Sequence, residues 1–306
     1  MTIVFTGPSS FTGAFFVKKL LESGYTVFAL FRKNTYEGLR QRRIEMFCKN
    51  AKCVFSCPFG GDLFFETIKK IPKIDFFCHH AAKVKDYKSC DFDPIHALEN
   101  NTRRLKQLLP ILKQKRCRGL ILTGSVFEPG EGVGSDNLRA VSPYGLSKGL
   151  TAEFFRYYTE KYHMPLGKFV IPNPFGPYEE PKFTAYLAKS WLQGKIPHVE
   201  TPFYVRDNIP VTVLAESYLR FLDSFEKGVL YKKAAPSCFV ETQGAFTKRF
   251  SKEMQKRFRL HCPYTLAETQ TFDEPEMRTN LDPIDFHWDR EAFFDEVATF
   301  YQKECK

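Results

Sequence analysis

What most restricts the fold of this chain is the regular alternation, through its first half, of short apolar runs with stretches of helical periodicity. Runs at 3–6, 25–30, 52–56, 75–79, 120–123 and 168–171 hold apolar residues at successive positions, the mark of strands covered on both faces. Between them lie helical patterns at 11–23, closed by Gly24, at 98–113 and at 144–162. Strand, helix, strand in that order implies parallel pairing, because a crossover is what returns the chain to the start of a parallel neighbour. The expected fold is α/β: a doubly wound parallel sheet with helices on both faces.

After Asn173 the texture changes. Pro174, Gly176, Pro177 and Pro181 make a loop-rich passage before an amphipathic stretch at 183–192. A strand and helix pair is expected within 229–250, and Pro263, Pro275 and Pro283 precede a last helix near 290–301. The expected division is a first domain over 1–173, to which 208–258 return, and a smaller lobe built from 174–207 and 259–306, with a cleft between.

Composition narrows the class. The 306 residues suffice for one large domain or two closely joined ones. With 32 Phe the interior leans on phenyl rings. A net charge of +10 favours anionic ligands such as phosphates and leaves nucleic acid open. The basic residues are scattered rather than gathered in one tail or helix, which argues against nucleic acid. Nine Cys, an odd number without C-x-x-C spacing, indicate neither a disulfide framework nor a zinc ribbon. Cys48, Cys53 and Cys57 read as small hydrophobes, no metal is expected, and the compartment is expected to be reducing. Thr2-Ile3-Val4-Phe5 follows Met1 with no basic stretch and no long apolar run. The expectation is a cytoplasmic protein without a membrane partner.

Directly after the first strand comes Thr6-Gly7-Pro8-Ser9-Ser10-Phe11-Thr12-Gly13, and then a helix. A strand, tight turn and helix start set free backbone N–H groups and the positive end of the helix dipole against a pyrophosphate. Gly7 and Gly13 can be the outer glycines; Ser10 stands where a middle Gly is usual, which suggests a differently aimed turn. An ordinary strand-to-helix turn is the plain alternative. Nineteen residues beyond Gly13, where an NAD site carries a carboxylate for the ribose, stand Arg32 and Lys33. Two cations there suit a 2′-phosphate, so NADP(H) is preferred and NAD(H) remains possible. A solvated basic strand end would look the same. Asp62, followed by Leu63, can bond an adenine amino group.

Ser142-Pro143-Tyr144-Gly145-Leu146-Ser147-Lys148 opens a helix, and the four-residue step puts Tyr144 and Lys148 on one face. A phenol ordinarily ionises near pH 10, but an adjacent ammonium favours phenolate and makes Tyr144 a candidate acid and base. Upstream, Leu120-Ile121-Leu122-Thr123-Gly124-Ser125 ends a strand with a hydroxyl, Ser125, that can bond the same substrate oxygen. His79 and His80 are adjacent on a strand, so they point to opposite faces and are read as structural. Asn101 is expected either to position Lys148 or a water, or to be a helix-surface residue.

Together these pieces resemble the extended short-chain dehydrogenase/reductase family, of the NAD-dependent epimerase/dehydratase type. The matching segments also include His80-Ala81-Ala82, Asn101 with Leu108-Leu109, Asn173-Pro174-Phe175-Gly176-Pro177, Arg206-Asp207-Asn208-Ile209-Pro210-Val211, and Glu274-Pro275-Glu276-Met277-Arg278. The resemblance implies a Rossmann-like sheet with a C-terminal substrate lobe. It places the dinucleotide against Gly7, Ser9, Ser10, Phe11, Gly13, Ala81 and Ala82, with Tyr144 and Lys148 at its nicotinamide end. It implies a nucleotide-sugar substrate held by Ser125, Asn173, Arg206 and Arg278, and a homodimer formed through a helix pair that includes 98–113 and 144–162. A guanidinium matches diphosphate oxygens in a bidentate way, which supports the two arginines independently. The chain departs from the family at Val170, where an Arg is frequent, and in the short segment between Ser125 and Tyr144.

Family dehydratases place Asp-Glu where this chain has Gly124 and Ser125, so dehydration is disfavoured. The stretch 175–184 is similar to the corresponding part of CDP-abequose synthases, which are 4-ketoreductases. With Arg32 and Lys33 this gives an expectation of NADPH-dependent reduction of a nucleotide-linked 4-keto sugar. The alternatives are an NAD-dependent nucleotide-sugar 4-epimerase and a non-catalytic dinucleotide-sensing or RNA-binding scaffold.

Overall fold

The computed structural model describes residues 1–84, 86–87, 89–225 and 228–305. The chain begins with β1 (Thr2–Thr6), α1 (Phe11–Glu22), β2 (Thr26–Leu30), α2 (Gly38–Glu45), β3 (Lys52–Val54), α3 (Asp62–Lys70) and β4 (Phe76–His79). There follow α4 (Pro94–Thr102), α5 (Leu105–Gln114), β5 (Gly119–Ser125), β6 (Val133–Gly134), α6 (Pro143–Lys161), β7 (Leu166–Ile171) and β8 (Asn173–Phe175). The remainder is α7 (Phe183–Leu192), β9 (His198–Val199), β10 (Val205–Pro210), α8 (Val211–Asp223), β11 (Tyr231–Ala234), β12 (Pro236–Ser237), β13 (Phe239–Thr242), α9 (Gln243–Phe258), β14 (Thr265–Leu266), β15 (Met277–Thr279), β16 (Asp282–Pro283) and α10 (Arg290–Glu304).

Seven strands form one parallel sheet in the order β11-β7-β5-β4-β1-β2-β3. The doubly wound Rossmann-like sheet expected from the alternation is therefore present. Its strand order reverses between β1 and β4, and a crevice at the carboxyl ends of those strands is where α/β sheets of this kind take ligands. α1 and α8 cover one face; α3, α5 and α6 cover the other. A second, mixed sheet runs β13-β10-β15-β6, with β8 also paired to β10. Of the segment 208–258, α8 and β11 belong with the large sheet, while β13 and α9 belong with the second sheet, α7 and α10. One apolar core joins the two parts, running from Ile3 and Phe16 through Phe175 and Phe250 to Phe294. No helix among the described residues is long and apolar enough to cross a membrane.

The single helix expected over 98–113 is two helices, broken at Arg103 and Arg104. Arg104 lies in the left-handed region at φ 53°, an uncommon conformation for a residue with a Cβ. Its guanidinium is held at 2.8 Å from Asp62 and over the Phe65 ring. The break also fits the Arg103 carbonyl against Gly60, where a Cβ would stand 2.4 Å from that oxygen.

Packing of the C-terminal helix contains a titratable contact. Glu179 is buried and accepts hydrogen bonds from the hydroxyls of Thr184 on α7 and Tyr301 on α10. Burial lifts its carboxyl from 4.5 to about 7, although the two hydroxyls and Lys182 pull the other way. A carboxyl that holds its proton more tightly when folded favours the folded state below its unfolded pKa, and that contribution is lost as pH rises through the folded value. Folding stability should thus fall between pH 4.5 and about 7, by on the order of 3 kcal/mol. Denaturant titrations at pH 5 and pH 8 read this difference, and Glu179→Gln should flatten it.

Candidate active site

The turn after β1 is built by short-range hydrogen bonds. Ser10 caps α1: its Oγ accepts from Gly13 N–H at 3.2 Å and donates to the Gly7 carbonyl at 2.9 Å. The Ser that replaces a middle glycine thus closes the turn on itself. Gly7 sits at φ +75°, and a Cβ there would lie 2.8 Å from the Ala81 nitrogen, while a Cβ at Gly13 would lie 2.4 Å from the Gly7 carbonyl. The backbone is pressed against the segment after β4, and Ala81 N–H donates to Thr6 Oγ1 at 3.2 Å. The first-turn N–H groups of a helix have no partner within it, so those of Phe11 and Thr12 are presented at the crevice. Ser9 is buried beneath them, and Ala81 and Ala82 are half-buried alongside. This tight cradle, without a Cβ at Gly7 and Gly13 and with unspent N–H donors, fits a dinucleotide pyrophosphate.

Arg32 and Lys33 follow β2 and are both exposed. Asp62 is exposed at the start of α3, and its carboxylate is already engaged by Arg104; Leu63 beside it is exposed as well.

The second part of the site is the first turn of α6 over the end of β5. Ser142 caps the helix, accepting from Gly145 N–H at 3.2 Å, and Pro143 supplies the preset first position. A Cβ at Gly145 would lie 2.2 Å from the Phe127 carbonyl, and one at Gly149 would lie 2.6 Å from Pro129 Cδ, so these glycines let α6 settle on the loop after β5. Lys148 is buried, and its Nζ donates to the Thr123 carbonyl. Burial pulls its pKa down, Glu128 raises it in part, and Lys168 lowers it further. Tyr144 is half-buried in an aromatic wall, its ring 5.5 Å from Tyr87 and 6.0 Å from Phe92. Burial, the Glu128 carboxylate and Tyr87 together push its phenol well above its ordinary value. The expected acidification by Lys148 is not among the influences on the phenol, and the resting group is the protonated phenol.

Ser125 ends β5 almost fully buried; its Oγ accepts from Phe127 N–H at 3.3 Å. Its own N–H donates to Glu128 Oε1 at 2.8 Å. Glu128 has no exposed surface and pairs with Lys168 of β7 at 2.6 Å; Lys168 also meets Glu131 at 2.8 Å, and Glu131 meets Lys233 at 3.2 Å. Gly124 lacks a side chain where the Lys168 stem and Glu128 cross, 2.9 and 3.2 Å from its ideal Cβ position. Sequence reasoning missed this buried chain of charges. The one visible signal was a Lys inside the otherwise apolar run Leu166–Ile171, because a cation buried in a sheet requires a partner.

The adjacent histidines do face opposite sides. His79 lies toward Phe155 and bridges Thr6 Oγ1 and the Asn101 carbonyl. His80 lies toward Phe16, near Ser10, Thr12 and Thr123. Burial, with Lys148 nearby, depresses both to about 3, so both rings are neutral.

Other expected positions differ from their sequence-based roles. Asn101 is buried rather than on a helix surface: its side chain accepts from Lys83 N–H at 3.1 Å and donates to Thr151 Oγ1 at 3.2 Å. It holds the segment after β4 onto α6. Arg278 is enclosed with 1% of its surface exposed. One Nη reaches both Asp136 oxygens at 2.9 Å, and the guanidinium also meets the carbonyls of Val126, Glu128, Glu131 and Arg139. It therefore closes the loop after β5 and presents no free guanidinium to a diphosphate. Arg206, its register partner on β10, stacks over Tyr204 and pairs with Glu274 at 3.0 Å. It borders an open cavity of about 780 Å³ that also includes Thr201, Gln243 and Gln270. Asn173 is exposed, with its Nδ2 on Asn208 Oδ1 at 2.5 Å.

Comparison with known proteins gives the family and the fold. The model of the NAD dependent epimerase/dehydratase family matches residues 3–232. The chain belongs to that family. No match was found among curated proteins. Solved structures similar to this family member include UDP-glucose 4-epimerase of Thermotoga maritima with UDP-glucose, 18% identical with a TM-score of 0.74 and 100% of both chains covered. UDP-glucuronic acid 4-epimerase of Bacillus cereus with UDP-glucuronic acid and NAD is 17% identical with a TM-score of 0.74, covering 99% of this chain and 100% of that one. dTDP-glucose 4,6-dehydratase of Bacillus anthracis with NAD is 20% identical with a TM-score of 0.72, covering 99% and 97%. At these identities the likeness is one of fold, and it extends over both sheets.

Proposed function

We propose that the chain is an NADPH-dependent oxidoreductase that reduces a nucleotide-linked 4-keto sugar through Ser125, Tyr144 and Lys148. What supports this reading is the placement of the Tyr144 phenol in the first turn of α6 and the Ser125 hydroxyl at the end of β5, beside the Gly7–Gly13 cradle. When bound, the dinucleotide supplies the hydride. Tyr144 gives its phenolic proton to the substrate oxygen, and Ser125 donates a hydrogen bond to that oxygen as negative charge develops. Lys148, anchored on the Thr123 carbonyl, stabilises the phenolate left behind. Gly7, Ser9, Ser10, Phe11 and Gly13 take the pyrophosphate, Asp62 and Leu63 border the adenine, and Ala81 and Ala82 line the path toward the nicotinamide. Arg206 is the cation left for the diphosphate, and Asn173 faces the sugar.

Arg32 and Lys33 favour the phosphorylated dinucleotide, since both are exposed cations where a carboxylate would repel a 2′-phosphate. Thermal shifts with NADPH and NADH test this: NADPH should stabilise the chain more, and Arg32→Ala should weaken NADPH by about tenfold. Equal or stronger stabilisation by NADH removes the NADPH assignment. It would favour the second reading, an NAD-dependent 4-epimerase, which is supported by the epimerases with similar folds. The outer faces of α4 and α6 expose Ile95, Leu146, Phe154 and Tyr157, which supports a homodimer through these helices. Light scattering should give twice the 35.5 kDa chain mass.

A further inference from the structure

We propose that His80 is a positioning residue that ties the dinucleotide cradle to the reacting strand and, by accepting the Thr123 hydroxyl proton, reserves substrate hydrogen bonding for Ser125. The proposal rests on the reading of the site given above, and the proton inventory leads to it.

A serine hydroxyl has one proton and two lone pairs. Ser10 Oγ spends its proton on the Gly7 carbonyl at 2.9 Å and one lone pair on Gly13 N–H at 3.2 Å. His80 Nε2 lies 3.0 Å from that oxygen, and only a lone pair remains there, so Nε2 carries the hydrogen and donates. Thr12 Oγ1, at 3.1 Å, shares the same N–H. A neutral imidazole with its proton on Nε2 has a bare lone pair at Nδ1. The 2.9 Å contact from Nδ1 to Thr123 Oγ1 is then a hydrogen bond in which threonine donates.

Two consequences follow. Thr123 and Ser125 are two residues apart on β5 and share a face of the sheet. Thr123 has no proton left for a substrate oxygen. Ser125 Oγ accepts from Phe127 N–H, and among the described residues no acceptor is placed for its own proton. The choice between two neighbouring hydroxyls is made by the tautomer of one half-buried ring. The ring also reaches from the first turn of α1 to β5 across the end of β4, so the cradle that grips the pyrophosphate and the strand that presents Ser125 are held in one register.

Nitrogen NMR of the imidazoles in the full chain tests the proton assignment without any turnover. The expected spectrum at pH 6 shows His80 neutral, with hydrogen on Nε2 and an acceptor pattern at Nδ1. Hydrogen on Nδ1 would overturn the proposal while leaving the functional reading intact. The coupling is tested by titrating NADPH and NAD⁺ into the wild type, His80→Leu and His80→Gln. With whichever dinucleotide the wild type binds more tightly, His80→Leu should weaken binding about tenfold, and His80→Gln, which keeps a donor and an acceptor, should recover part of it. Unchanged binding in folded His80→Leu would reject the coupling. Failure of the wild type to bind either dinucleotide would instead reject the functional reading, with the NMR result still deciding the hydrogen-bond assignment.

Discussion

Tyr144→Phe should lose turnover by about 10²- to 10⁴-fold while binding NADPH within about twofold of the wild type. The ring stays, so its packing against Tyr87 and Phe92 stays; only the transferable proton is removed. NADPH oxidation with nucleoside-diphosphate 4-keto sugars measures the first quantity, and thermal shift the second. The size of the loss follows from the role. If Tyr144 gives up its proton in the transition state, Lys148 is not free to replace it, because its Nζ is engaged with the Thr123 carbonyl. The pH dependence has a defined sign. Burial and Glu128 hold the phenol protonated through the neutral range, so reduction should not decline until the solution is alkaline. Turnover retained in the Phe variant would remove Tyr144 from the acid role and the ketoreductase proposal with it.

Lys168→Met should lower stability by about 3–5 kcal/mol, because a buried cation is removed from between two carboxylates that stay behind. Burial disfavours the lysine charge, yet Glu128 and Glu131 outweigh it and hold the pKa above its ordinary value. Without the cation, Glu128 and Glu131 face each other in the interior and must take up protons to relieve their repulsion. Their folded-state pKa then rises above the unfolded value, so the loss is greatest at neutral and higher pH and shrinks as pH falls. Thermal melts should show a midpoint lowered by roughly 10 °C at pH 8, a smaller drop at pH 5, and partial recovery on adding Glu131→Gln. A melt unchanged at pH 8 would mean that the ion pairs contribute nothing net. Ser125 would also be disturbed, since its N–H is held by the Glu128 that Lys168 holds.

What could be read from the sequence is what depends on local pattern. Ile3, Val4 and Phe5 or Leu120, Ile121 and Leu122 announce buried strands because period and composition are properties of adjacent residues. Ser142 and Pro143 announce the start of α6 for the same reason. The break at Arg104 was not legible, because an αL residue usually declares itself as glycine, and here Asp62 and Phe65, distant in sequence, hold an arginine there. Arg278 was read from its segment as a ligand for phosphate, but its carboxylate partner, Asp136, lies 142 positions earlier. Its role is a fact about folding that no local motif displays. Strand alternation set His79 and His80 on opposite faces, yet the hydroxyls that give His80 a task come from α1 and β5.

The continuous aromatic core bears on how the enzyme admits its substrate. Phe175 packs within 5.4 Å of both Phe246 and Phe293, and the same cluster continues to Phe16 and Ile3. A hinge between the two sheets would have to tear the part of this cluster that joins them, which close-packed interiors resist. On the proposed reading, the substrate lobe should therefore not swing as a rigid jaw. On that reading, entry should fall to side chains at the rim, with Arg206 exchanging Glu274 for the arriving phosphates and rotating about its stack on Tyr204. A barrier so small and local would leave the rate of capture governed by diffusion and ionic strength rather than by domain motion.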